Sequence, residues 1–118
     1  MATNRKRKNA TRTTIDAFDI GDDLQITKTT RRAAGAGTWV IGTIAGYKFN
    51  ALVFPEHADC PDYELGDSRI SKIWLQRLSD KTCVANFDRG WDIHPSTKIA
   101  TVIVDFLAAG LAEHTYNK

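Results

Sequence analysis

Apolar and polar residues alternate along much of this chain, and a helical repeat replaces the alternation near the end. Ile20, Leu24 and Ile26 alternate loosely with polar neighbours, which predicts a short first strand within residues 19–28. Residues 29–37 (TTRRAAGAG) follow as a linker or turn of two arginines, small residues and glycines. Trp39, Val40, Ile41, Thr43 and Ile44 are aromatic or β-branched and predict a strand from Thr38. Ala45-Gly46 offers a tight turn, and Tyr47, Phe49, Ala51 and Val53 return as the second arm of a hairpin. Pro55 stops it, because proline cannot donate to a ladder.

Residues 56–68 (EHADCPDYELGDS) form an acidic loop that is too polar for a core. Ile70 to Leu78 alternates again, Ser79-Asp80-Lys81 turns the chain, and Thr82 to Trp91 returns as the next strand. Gly90, at the end of that strand, predicts a bulge or a close backbone approach. His94-Pro95-Ser96-Thr97 reads as a helix start, with Ser96 or Thr97 able to accept from the first free amides. Ile99, Val102, Ile103, Phe106 and Leu107 then recur at helical spacing, and Gly110 to Glu113 marks the expected end.

Strand, hairpin, hairpin and helix in that order predict an α+β fold. An antiparallel sheet of four to five strands, containing two hairpins, would carry the C-terminal helix on one face. The expected core is Trp39, Ile41, Phe49, Val53, Ile73, Leu75, Val84, Ile99, Ile103, Phe106 and Leu107.

Composition sharpens this picture at the N-terminus. The chain has 118 residues, 42% of them hydrophobic, which suits one domain with one core. The net charge of +2 conceals an asymmetry. Residues 1–32 hold eight basic side chains (Arg5, Lys6, Arg7, Lys8, Arg12, Lys28, Arg31 and Arg32) against four aspartates, whereas residues 33–118 hold eight basic and ten acidic. We read residues 1–14 as a flexible basic arm and residues 15–118 as a single compact domain. A basic arm meets phosphates or an acidic surface, or else serves as a solubilising tail. Its basic stretch is followed by no apolar region of a secretory signal, and no run of 18 residues is free of charge and polarity, so the expected location is cytoplasmic. Cys60 and Cys83 are too few to be a disulfide framework and are expected as free thiols.

No motif names a reaction. His57 and Cys60 are spaced like half of a zinc site, but Cys83, His94 and His114 supply no second close pair. The carboxylates Asp59, Asp62, Glu64 and Asp67 match no calcium loop. Gly35-Ala36-Gly37 lacks the strand–helix context of a phosphate cradle, and no elbow surrounds Cys60 or Ser71. The reading is therefore a non-enzymatic chain without cofactor or metal. Charged residues where apolar strands end are the candidates for contact: Arg69 and Lys72 on one, Arg89 and Trp91 in Asp88-Arg89-Gly90-Trp91-Asp92 on the other. An exposed Arg beside an exposed Trp is hot-spot material. The same pair can also tie a loop and cap a core.

Gly37-Thr38-Trp39-Val40-Ile41-Gly42, Tyr47-Lys48-Phe49-Asn50-Ala51, Arg69-Ile70-Ser71-Lys72-Ile73 and Asp88-Arg89-Gly90-Trp91-Asp92 together resemble a small bacterial domain family of phages and conjugative elements. The resemblance covers residues 37–110 and implies a mobile-element accessory protein that acts by binding. The expected function is inhibition of a host nucleic-acid-guided defence complex, in the manner of an anti-CRISPR. Arg69, Lys72, Arg89 and Trp91 would meet the protein partner, with Asp59, Asp62, Glu64 and Asp67 imitating a phosphate backbone. A second reading is direct DNA or RNA binding through Arg5, Lys6, Arg7, Lys8, Arg12, Arg31 and Arg32. A third, from another class, is a small metal-dependent or thiol enzyme built on the acidic loop and His57.

Overall fold

The computed structural model describes residues 23–33, 35–66 and 68–117; the arm 1–14 and Asp67 lie outside them. The fold is α+β. Among the described residues six strands, β1 (Gln25–Arg31), β2 (Thr38–Ile44), β3 (Tyr47–Val53), β4 (Ile70–Arg77), β5 (Cys83–Asp88) and β6 (Trp91–Ile93), are followed by one helix, α1 (Lys98–Tyr116). Each strand pairs antiparallel with its neighbours in chain order, so the sheet is an unbroken meander. A 3-10 turn, Pro61–Tyr63, lies in the long loop between β3 and β4.

The strand count exceeds the expected four to five because the stretch 82–91 is not one strand. The chain reverses at Arg89-Gly90, where Arg89 adopts φ 55°, and Trp91 comes back opposite Phe87. Strand β1 overlaps the expected 19–28, of which residues 19–22 lie outside the described ones, and runs on through Arg31, beyond the expected start of the linker at Thr29. The β2–β3 connection is the predicted two-residue turn. Ala45 and Gly46 both have positive φ, 52° and 85°, the combination that matches the twist of a hairpin. Asp23 Oδ2 accepts from the Ala45 amide at 2.8 Å and ties the turn to the start of β1.

Directly paired residues share a face of an antiparallel sheet. On the helix-bearing face lie Val40, Ile44, Phe49, Ala51, Val53, Ile70, Ile73, Leu75, Ala85 and Phe87, all buried. Helix α1 covers them with Ala100, Ile103, Val104, Leu107, Leu111 and Ala112. Its start is capped by Thr97, whose side chain accepts from the Ala100 amide at 3.1 Å. Its far end passes the expected stop at 110–113 and closes at Asn117 in the left-handed region. There Tyr116 Oη donates to the Val53 carbonyl at 3.2 Å and receives a bond from Thr38 Oγ1 at 2.8 Å, which pins the helix to the ends of β2 and β3. By length and composition alone α1 could cross a membrane, but its apolar stripe is spent on the sheet.

Seven of the eleven expected core residues are buried, and Trp39, Ile41, Ile99 and Phe106 are only half-buried. Ile99 and Phe106 flank the buried stripe of the helix. Trp39 and Ile41 are displaced by pleat: in β2 the helix side is taken by Thr38, Val40, Gly42 and Ile44, which turns the two large residues to the opposite face.

Candidate functional site

That opposite face carries most of the chemistry left outside the core. Register places residues on it in rows that cross the strands. One row runs Thr30, Trp39, Leu52, Lys72, Asp88, and the next Lys28, Ile41, Asn50, Trp74, Asn86. Thr43, Lys48 and Gln76 form a third. Ile93, paired with Asn86, adds an apolar side chain that is 41% exposed. No described helix lies over these rows, but Leu52 in the first of them is 2% exposed, with Gly37 and Phe54 beside it.

Two half-buried tryptophans therefore stand on one surface, separated by a single strand, about 10 Å across the sheet. Around them are Lys28 and Lys48, both exposed, and Lys72, whose Nζ is 3.6 Å from Asp88 Oδ1. Among the described residues Asp88 is the one acid in these rows. The face thus combines aromatic planes with net positive charge. In its middle, between Ile41 and Trp74, Asn50 Oδ1 is buried without a hydrogen-bond partner.

At the β3–β4 end of the sheet this face runs into a cleft of about 450 Å³. Its walls are Phe54, Pro55, His57, Tyr63, Ser71 and Arg89, with Gly35, Glu56, Ala58, Asp59 and Glu64. The loop is held by Glu64, a carboxylate with only 7% of its side chain exposed. Glu64 Oε2 accepts from the Ala58 amide at 2.6 Å, and Oε1 lies 2.9 Å from His57 Nδ1. Across the cleft the Arg89 guanidinium sits 5.8 Å above the Tyr63 ring, a cation–π contact on an exposed aromatic. The Arg89 amide donates to the Ser71 carbonyl at 2.8 Å, so its turn is anchored to β4.

The residues singled out from sequence are not gathered in one place. Arg69 is buried; Nη1 donates to the Pro55 carbonyl at 2.7 Å and Nη2 lies 3.6 Å from Glu113, joining the loop to the helix. Lys72 belongs to the uncovered face and Arg89 to the cleft. Trp91 packs on the core, edge-on to Phe87 and stacked on His94, each at 5.2 Å. Of the acidic loop, Asp59 and Asp62 are exposed, whereas Glu64 is turned inward. Arg31 lies over the Tyr116 ring at 4.9 Å, and Arg32 is exposed. Arg5, Lys6, Arg7, Lys8 and Arg12 fall outside the described residues. Cys60 and Cys83 are both free thiols, and no three of His, Cys, Asp and Glu converge among the described residues.

The rows on the uncovered face escaped a reading by linear motif because they draw alternate residues from five strands. The signal available was the register itself. A two-residue turn at Ala45-Gly46 puts Trp39 and Ile41 on the same face as Lys48 and Asn50.

Residues 38–112 match a domain family of unknown function, DUF7678, and the chain belongs to that family. The matched span holds both tryptophans of the uncovered face and the whole 54–64 loop. Comparison with curated proteins and with solved structures returns no match.

Proposed function

We propose that this member of the DUF7678 family is a non-enzymatic binding module whose uncovered sheet face takes a single-stranded nucleic acid. One observation carries the reading: Trp39 and Trp74, both half-buried, share with Lys28, Lys48 and Lys72 the face turned away from the helix. Exposed aromatic planes receive bases by stacking, at ~1–3 kcal/mol per base, and lysines answer the phosphates between them. A duplex hides its base faces, so two tryptophans on a sheet suit an unpaired strand better than a double helix. The basic arm would add salt-sensitive affinity without sequence preference.

The mobile-element setting implied by the resemblance fits the same surface. An anti-CRISPR-like inhibitor could turn this face on the guide or target strand of a host complex. The dispersal of Arg69, Glu64 and Trp91 into structural contacts favours the sheet face over the strand-end cluster as the working surface.

Fluorescence anisotropy with labelled single-stranded oligonucleotides tests the reading. Trp39→Ala and Trp74→Ala should each weaken binding about 5- to 150-fold, from the stacking energy above. Neutralising Lys28 and Lys48 together should lower the slope of log K against log salt by about 1.4, at ~0.7 per phosphate contact. Binding unchanged in both tryptophan variants would sink the proposal. A nuclease-resistant protein partner, retained when residues 1–14 are deleted, would move the function to protein docking.

A further inference from the structure

We propose that the strand bound by the sheet face is RNA, and that His57 recognises it by accepting a hydrogen bond from a ribose 2′-hydroxyl in the adjoining cleft. The inference rests on the single-strand reading above and goes further by naming the sugar.

The argument begins with Glu64. A carboxylate can only accept, and both of its oxygens are engaged inside the loop, one by the Ala58 amide and one by His57 Nδ1. The proton of the neutral imidazole is therefore on Nδ1, and the lone pair is on Nε2. The ring is 63% exposed although its partner is buried, and it lines the cleft. A histidine with its tautomer set from behind and its acceptor nitrogen left over is suited to a ligand that offers a hydroxyl proton. The 2′-hydroxyl is such a group, and it is the one that separates RNA from DNA.

The rest of the cleft fits one nucleotide of a strand leaving the sheet. Its volume of about 450 Å³ is in the ~300–1,000 Å³ range of small-molecule sites. Ser71 and Arg89 on its wall adjoin Lys72 and Asp88, which end the first row of the face. Phe54 follows the bulge after Leu52 of that same row. The cleft opens beyond Leu52 and Lys72 of the first row, beside the two tryptophans rather than on the line that joins them. Asp59 and Glu56 on the His57 side would repel a phosphate, and Arg89 on the opposite side would attract one. That polarity puts the phosphate at Arg89 and the sugar at His57.

The test compares oligocytidylates of about 12 nucleotides in ribo, deoxy and 2′-O-methyl form, so that the base is constant and only the sugar changes. The wild-type chain should bind the ribo form about 5-fold tighter than the other two, the effect of one hydrogen bond. His57→Phe should abolish that preference by bringing ribo binding down to the deoxy level. The change also removes the partner of Glu64, so a thermal melt verifies that the variant folds. Arg89→Gln should weaken ribo and deoxy alike. Equal affinity of the wild type for ribo and deoxy forms, or a preference that survives His57→Phe, overturns the role given to His57. If neither oligonucleotide binds, or Trp39→Ala and Trp74→Ala change nothing, the sheet-face reading falls and takes this one with it.

Discussion

Gly42→Ala is a sharp test of the packing, because a methyl there has nowhere to go. A Cβ at Gly42 would fall against the Gln25 carbonyl of β1 on one side. On the other it would lie 2.9 Å from Cε2 and Cζ of Phe49. Phe49 is fully buried beneath the helix and cannot swing. Among the described residues strand β1 is the edge of the sheet; it is exposed along nearly its whole length and already carries a register irregularity between Ile26 and Lys28. The weaker neighbour should yield, so the start of β1 should peel away. The loss is then the Gln25–Thr43 and Ile26–Gly42 pairings, at roughly 1 kcal/mol per backbone hydrogen bond, plus the partial burial of Ile26. The stiffer unfolded chain of the alanine variant returns about 0.4–1 kcal/mol. The net expectation is a loss of about 2 kcal/mol, or ~8 °C in Tm for a chain of 118 residues. Denaturant unfolding gives the stability, and amide exchange gives the location. Protection should vanish in β1 and persist in β3 and β4. Unaltered stability with β1 still protected would refute the reasoning, and loss of protection in β3 would show that Phe49 gave way instead.

Two further outcomes follow from the core and the β4–β5 turn. Leu107, with 1% of its surface exposed, lies on the buried stripe of α1, so Leu107→Ala should cost about 2–5 kcal/mol by denaturant titration, through lost burial and a cavity. Asp80 is hydrogen-bonded by Arg77 Nε and Nη2 at 3.1 and 2.9 Å and by the Thr82 amide at 3.1 Å; these bonds hold its carboxyl well below the usual carboxylate range. A depressed native pKa contributes stability above about pH 4, where the unfolded chain's aspartate ionises, and that contribution fades as pH falls further. Asp80→Asn should therefore lower Tm at neutral pH, and the two melting curves should draw together in acid.

The fold was legible where one face of an element is wet. The hairpin 38–53 was readable from its turn and from the stop at Pro55, and the helix from its Thr97 cap and its apolar repeat. The pattern was weaker where both sides of a strand carry apolar residues. In β2 every position but Thr38, Gly42 and Thr43 is large and apolar, so alternation alone does not say which side meets the helix. Size favoured Trp39 and Ile41 for the core, but pairing with Lys48, Asn50 and Leu52 across the turn places them on the other face. The split of 82–91 into two strands depends on Arg89 taking a positive φ, which is uncommon for a residue with a side chain and leaves little trace in sequence.

The candidate site was harder to read than the fold, and the bulges explain why. Between Leu52 and Val53 the register of β3 against β4 slips by one residue: Leu52 opposes Lys72, whereas Val53 opposes Ile70. Ser71 is the extra residue. Without it, strict alternation would put Ile70 on the same face as Lys72 and Trp74, and the lysine–tryptophan surface would become continuous with the buried cluster under the helix. The bulge separates them and leaves Ser71 on the wall of the cleft beside Arg89. The run Arg69-Ile70-Ser71-Lys72 therefore divides into a buried tie to the helix, a core residue, a cleft wall and a residue of the sheet face. Four adjacent residues serve four environments, so a motif read as one contact patch dissolves in three dimensions. The face that replaces it is assembled from Trp39 and Trp74, thirty-five positions apart, by register alone.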